Sequence, residues 1–356
     1  MGYDAARVLM IRYDRKKFTA EELSLCLSHY DLGVIHSVRE FPRGSRRAPK
    51  VLIEAERGRF LFKRRAHGKD RQEKVAFTHE IQLHLAAFSF PLPHLIRTRD
   101  EGHSMLVHGG HVYEMFEFME GEGYDGSLDA TEHAGTLLGQ YHKLLEDFES
   151  SYRTPTGGYH DAAAINDLVR NTVASLPLEN RPPAEEITST VGAIRQTYLA
   201  AARRANELGL GEWQHQIVHG DWHPGNMLFH GGMVAAVIDY DAAREQPRVL
   251  DVANGALQFS IIGGGNDPDT WPDFADETRF ARFLHGYHAV DPLSAGELQA
   301  IPYLMCEAII AEAVLPIATT GSFGRIEGFP FLRMVQRKTN WMLDNAERLS
   351  RVLEAV

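Results

Sequence analysis

The stretch "IVHGDWHPGNMLFHGGMVAAVIDYDAA", residues 217 to 243, sets His219, Asp221, His223, Asn226, Asp239 and Asp241 among two short runs of β-forming residues. Two chemistries can use such a set. His219, Asp221 and His223 alternate, so an extended backbone would turn all three toward one side, where they could ligate a single ion such as zinc. Pro224 and Gly225 end any strand there at once, and no second ligand cluster follows to complete a dinuclear hydrolase centre. Phosphoryl transfer uses more of the residues. It needs a carboxylate to orient the attacking hydroxyl and accept its proton. It also needs an amide oxygen a few residues later on a magnesium ion, and a second carboxylate that bridges the ion to the β- and γ-phosphates. Asp221, Asn226 and Asp239 supply these in that order.

The spacing agrees with that chemistry. The five-residue step from Asp221 to Asn226, with His219 two residues before, follows the pattern H-x-D-x-x-x-x-N of a kinase catalytic loop. The strand, turn and strand of "NMLFHGGMVAAVIDYD" would return Asp239 beside that loop, which explains how residues 13 apart in sequence can meet.

Elements elsewhere must position this set. Thr19 with Glu22 three residues on forms a capping-box pattern and predicts a short helix over "TAEELSLCLSHY". "GVIHSVREF", "KVLIEAE" and "RFLFKRR" are β-rich and separated by turn-forming stretches, so they read as a three-stranded antiparallel meander. Phe77, Ile81 and Leu85 recur every four residues and predict a helix that "FPLPHL" ends. Two further strands, about "SMLVHGG" and "HVYEMFEFME", complete a five-stranded N-terminal sheet. From about residue 128 the texture is helical. Ala134, Leu137, Leu138, Tyr141, Leu145 and Phe148 trace one apolar stripe, and helices are expected near 161 to 174 and 184 to 207. The order predicts an α+β fold: a β-rich half with one helix, residues 1–120, then a mainly helical half, 121–356, carrying a small β-hairpin.

"HGDWHPGNMLF" followed by "VIDYDAA" resembles the catalytic and metal motifs of the aminoglycoside phosphotransferase superfamily, which includes choline kinase, homoserine kinase and methylthioribose kinase. The resemblance implies a bilobal protein-kinase-like fold and an ATP- and Mg²⁺-dependent kinase of a small hydroxyl compound. Asp221 would be the base, with Asn226 and Asp239 holding Mg²⁺. Such a fold requires a lysine on the third strand and a glutamate on the next helix to hold it, and Lys63 and Glu80 occupy those positions. "YEMFEFMEG" would be the hinge, with Phe116 as gatekeeper, the Glu117 carbonyl and Met119 amide on the adenine edge, and Gly121 opening the linker. His219 and His223 would support the loop, Asp241 would orient it or touch a cationic acceptor, and Asp251 in "VLDVANGAL" would brace it. His142 reads as packed. One departure stands out: the turn "FPRGSRRAPK" has a single glycine, Gly44, beside Ser45 and Arg46, so phosphate grip would fall to the Gly44 and Ser45 amides with an arginine assisting. "IIGGGND" is followed by no G-K-[ST] and reads as a surface loop.

Charge is segregated along the chain. Residues 1 to 110 carry 20 Lys and Arg against 13 Asp and Glu, whereas residues 111 to 356 carry 17 against 35. An acidic C-terminal half suits a cationic acceptor such as an amino alcohol, amino sugar, aminoglycoside or homoserine-like compound, and equally suits simple solubility. Neither a nucleic-acid nor a membrane partner is expected, and the chain would be a monomer or homodimer. Cys26 and Cys306 suggest neither a disulfide framework nor a zinc cage and fit a reducing, cytoplasmic setting. "MGYDAARVLMIRYD" lacks an apolar signal core, and no later apolar run approaches the ~20 residues that span a bilayer. A protein kinase of the same fold is the nearest alternative, but no A-P-E segment follows Asp239. A non-catalytic nucleotide-binding scaffold would have no use for the complete set of Lys63, Glu80, Asp221, Asn226 and Asp239.

Overall fold

The computed structural model describes residues 15–177, 182–265 and 267–355, so the N-terminal stretch read above for a signal core lies outside the described residues. The chain forms two compact units. One comprises residues up to His84 together with Pro93–Met119, and the other comprises Leu85–Leu92 with Glu120 onward.

In the first unit, helix α1 (Ala20–Leu27) begins with the expected capping box: Glu22 N donates to Thr19 Oγ1 at 3.1 Å, and Thr19 N donates to Glu22 Oε2 at 3.4 Å. Strands β1 (Ile35–Glu40), β2 (Lys50–Ala55), β3 (Gly58–Arg64), β4 (Leu106–His108) and β5 (His111–Glu117) form one sheet in the order β1-β2-β3-β5-β4, antiparallel throughout. The final strand therefore enters between β3 and β4. Alternation puts Val51, Ile53, Phe60, Phe62, Tyr113 and Met115 into a core shared with Cys26 and Leu27 of α1. Phe62 and Tyr113 stack there with ring centroids 5.6 Å apart. Since neighbours on a strand face opposite ways, Lys63 lies on the other face from Phe62, directly across from Glu114. Helix α2 (Gln72–Ala87) carries the expected apolar face: Phe77, Ile81 and Leu85 are fully buried.

The last turn of α2 and the segment to Leu92 belong to the second unit. Pro91 O accepts from Val237 N at 2.9 Å, and Phe90 packs edge-on to Tyr141. Helix α3 (Leu128–Leu144) buries Ala134, Leu137, Leu138 and Tyr141 of the predicted stripe, and α4 (Ala163–Ser175) and α5 (Ala184–Glu207) follow where periodicity placed them. Four short strands come next. β7 (Met227–His230) and β8 (Met233–Val237) make the expected hairpin, while β6 (His215–Val218) pairs with β9 (Arg244–Pro247). The second pair has no clear signal in the sequence, because "REQP" contains no run of β-formers. Helices α6 (Val249–Ser260), α7 (Glu277–Val290), α8 (Ala295–Thr320), α9 (Gly328–Asp344) and α10 (Ala346–Ser350) complete the unit, with a two-residue hairpin, Ser322–Phe323 with Ile326–Glu327, before α9.

Two contacts hold this arrangement. Where α3 crosses α7, a Cβ on Gly135 would lie 2.0 Å from Phe283 O, and one on Gly286 would lie 2.1 Å from Glu132 O. The two backbones touch, which only glycine permits. Helix α8 corrects the expectation that no apolar run is long enough to span a bilayer: its 26 residues qualify by length and composition. It is instead the central helix of the unit, packed against α4, α5, α6 and α9, with Leu304, Met305, Ile310 and Val314 fully buried.

Candidate active site

In the second unit, β6 delivers the chain to His219, and a turn of 3-10 helix over Pro224–Asn226 carries it into β7. Gly220 has φ +75°, and a Cβ there would sit 2.5 Å from Ala242 O, so the glycine both permits the turn and lets the two segments touch. Asn226 folds back on Asp221: its Nδ2 donates to the Asp221 carbonyl at 3.0 Å and to Asp221 Oδ2 at 2.9 Å. With Nδ2 committed to those bonds, Oδ1 is the free acceptor end of the amide. Ile238 N donates to Asn226 O at 2.9 Å, which brings the next residue, Asp239, beside the loop. Asp239 has φ +65° and ψ +69°, a left-handed conformation that costs a non-glycine residue energy and often marks a working site. Asp241 follows in a single turn over Tyr240–Ala242 and is half-buried.

The two histidines have different environments. His219 is fully buried among Tyr141, Trp222 and Tyr240, with ring centroids 5.2 to 6.0 Å away. Burial lowers its pKa and outweighs the opposing fields of Asp251, Asp221 and Asp239, so the ring is neutral. His223 turns inward: Nδ1 accepts from Gly225 N at 3.0 Å, and Nε2 lies 3.6 Å from Asp221 Oδ2. Burial works against its protonation, but the Asp221 carboxylate outweighs burial and raises its pKa. Burial likewise opposes ionisation of Asp221, but His223 and Asn226 outweigh it and pull its pKa below the ordinary value. The three alternating side chains therefore do not converge on one ion. Among the described residues no group of three His, Cys, Asp or Glu could hold one.

Asp251, at the start of α6 and almost wholly buried, accepts from His219 N at 2.8 Å and from Gly220 N at 2.9 Å. His142 of α3 lies behind it, with Nε2 3.4 Å from Asp251 Oδ2 and Nδ1 2.8 Å from the Tyr287 hydroxyl. Tyr287 in turn donates to Asp291. The loop backbone is thus tied through one carboxylate to α3 and α7. His142 is packed, as the sequence implied, and its part in this tie was not visible there.

In the first unit, Lys63 Nζ lies 3.2 Å from Glu114 Oε2. Glu114 is fully buried and also receives Arg65 Nη2 at 2.7 Å and His79 Nε2 at 2.8 Å. Burial alone would raise its pKa, but Lys63, Arg65 and His79 outweigh that and hold it well below the carboxylate range. The sequence reading gave this role to Glu80, which sits half-buried on α2. Glu114 is a cross-strand neighbour of Lys63, because β5 enters the sheet next to β3. Gly44 has φ +73°, and the carbonyls of Gly44 and Ser45 accept from Arg15 at 3.3 and 3.2 Å, which braces that turn. Phe116 pairs with Leu61 on β3, Glu117 ends β5, and Met119 follows, half-buried.

Comparison with known proteins gives the family and the fold. Residues 37–298 match the phosphotransferase enzyme family. The chain belongs to that family. A homoserine kinase from Acidiphilium cryptum (strain JF-5) is 25% identical over 303 residues, covering 82% of this chain and 84% of the relative. An aminoglycoside phosphotransferase from Alicyclobacillus acidocaldarius superposes with TM-score 0.67 at 14% identity, covering 93% and 96%. The amicoumacin kinase hAmiN, in complex with AMP-PNP, Ca²⁺ and Ami, gives 0.64 at 13%, covering 92% and 94%. This phosphotransferase is a small-molecule kinase with a protein-kinase-like fold.

Proposed function

We propose that this phosphotransferase moves the γ-phosphoryl group of Mg-ATP to the hydroxyl of a small, amine-bearing acceptor. Asp221 accepts the hydroxyl proton as the new O–P bond forms and the bond to the β-phosphate oxygen breaks, leaving ADP and a phosphate ester. The observation that carries the reading is Asn226, whose Nδ2 spans the carbonyl and carboxylate of Asp221. That bond orients the base and leaves Asn226 Oδ1, with the Asp239 carboxylate, as hard oxygen donors. Magnesium is held by few protein oxygens plus phosphates and water, so these two donors suit it. When bound, it would offset charge on the phosphates.

In the same reading Lys63 grips the α/β-phosphates, the Gly44 and Ser45 amides cover them, and the Glu117 carbonyl and Met119 amide take the adenine edge. His219, His223 and Asp251 support the loop. Residues up to about 120 serve the nucleotide, and the remainder serves chemistry and acceptor. Homoserine is a natural first acceptor, given the homoserine kinase relatives. Two buried free cysteines, Cys26 and Cys306, suit a reducing cytoplasm. The test is mass spectrometry of pooled amino alcohols, amino sugars, aminoglycosides and homoserine incubated with Mg-ATP, run beside Asp221→Asn. Phosphorylation of one compound, absent in the variant, supports the reading; failure of the protein to bind ATP sinks it.

A further inference from the structure

Helix α6 lies along the catalytic loop by one face. Asp251 takes the His219 and Gly220 amides, Asn254 Nδ2 reaches the Trp222 carbonyl at 3.4 Å, and one turn further on Gln258 Nε2 donates to Glu312 Oε2 at 2.6 Å. The face that braces the loop therefore ends at a carboxylate on α8. That position is unusual for α8. From Leu304 to Val314 every residue of the helix is buried except Glu312, which opens to solvent.

A second glutamate on the same helix makes the contrast. Glu307 is fully buried, and the protein uses both its oxygens: Oε1 meets His160 Nδ1 at 2.9 Å, and Oε2 accepts from Asp161 N at 2.9 Å. Glu312 is held at Oε2 only, and Oε1 has no hydrogen bond or ion pair from the described residues. It also lies within the electrostatic reach of His223 and Asp221.

We propose that Glu312, oriented by Gln258, is the group that selects the acceptor, binding the ammonium of a small amino alcohol whose hydroxyl is presented to Asp221. This rests on the phosphotransfer reading above. The electrostatics favour a cation there. Although the Glu312 side chain reaches solvent, the protein on its inner side and the Asp221 carboxylate raise its carboxyl pKa, while Gln258 and His223 pull the other way. An ammonium beside Oε1 offsets the repulsion between the two carboxylates. A neutral diol offers no such offset, so it binds without that gain.

The experiment pairs steady-state kinetics with calorimetry on the full chain. Wild type, Glu312→Gln and Gln258→Ala are assayed on amino alcohols, including homoserine and aminopropanol, and on diols in which hydroxyl replaces the amine. Glu312→Gln should raise KM for amino alcohols about tenfold or more, the scale of a lost charge-assisted hydrogen bond, and leave the diols and the KM for ATP unchanged. Gln258→Ala should show a weaker form of the same preference. A Glu312→Gln enzyme that keeps the wild-type preference for amines overturns the proposal, as does a wild type with no such preference. If no acceptor turns over, the phosphotransfer reading fails separately, and calorimetric titration of the same amino alcohols decides. Binding lost in Glu312→Gln supports the site, while equal binding, or none to wild type, refutes it.

Discussion

Two buried carboxylates do different work in this chain. Glu114 in the first unit is surrounded by side chains: a lysine, an arginine and a histidine converge on its two oxygens. Asp251 in the second unit is met mainly by main chain, the amides of His219 and Gly220. A carboxylate that gathers cations fixes the direction of charged side chains, Lys63 among them. A carboxylate that gathers amides fixes the course of a loop, and so the place of Asp221 two residues later. The first is costly to break because charges stay behind in the interior; the second is costly because backbone donors lose their acceptor.

The largest effect should come from a change that leaves both anchors intact. Asp221→Asn should lower kcat by about 10²- to 10⁴-fold, the usual share of a general base, while the thermal midpoint hardly moves. A loss of less than tenfold would place the base elsewhere. Next, Glu114→Gln removes the buried carboxylate that Lys63, Arg65 and His79 share and should cost about 3–5 kcal/mol in urea unfolding. The same substitution at Glu80 sharpens the comparison. If Glu114 orients Lys63, Glu114→Gln should raise the KM for ATP more than Glu80→Gln does, and the reverse order would assign the role to Glu80 on α2.

Asp251→Asn should cost less, about 1–3 kcal/mol, since one amide oxygen can still accept. Its mark should be a fall in kcat out of proportion to that stability loss, because the loop carrying Asp221 loosens. The smallest effect concerns the His223 and Asp221 pair, which is solvent-screened and contributes under about 1 kcal/mol. The His223 pKa is raised from its ordinary 6.5, so its share of stability is complete below that value and fades as pH rises through the higher folded value. The Asp221 pKa is lowered from 3.8, so its share is present above that value and fades as pH falls through the folded one. Stability followed from about pH 6 to about 9 should decline slightly in the wild type, and His223→Gln should remove that decline.

What was legible in the sequence was local. Asp221, Asn226 and Asp239 lie within 19 residues and are joined by one hairpin, so spacing alone could bring them together. Lys63 was singled out by the family resemblance, which calls for a lysine on the third strand, and the meander places it there. Glu114 was not, because its meeting with Lys63 depends on β5 entering the sheet beside β3 in a particular register, and residue types along a single strand do not encode which strand lies next to it. The β6–β9 pair was missed for the same reason, since its partners are separated by the entire catalytic loop. Glu312 was hidden within an apolar helix, where one charged residue in a buried run reads as incidental until the neighbouring Gln258 is seen to hold it.

The tie at Asp251 also bears on how the loop behaves over time. Surface loops normally exchange their amide hydrogens with solvent quickly, as local openings of little cost expose them. The amides of His219 and Gly220 are locked onto a buried carboxylate that is itself backed by His142. Their hydrogens should therefore exchange as slowly as those of a core helix, only when the surrounding helices also come apart, and a turn between two short strands would report the global unfolding of its unit.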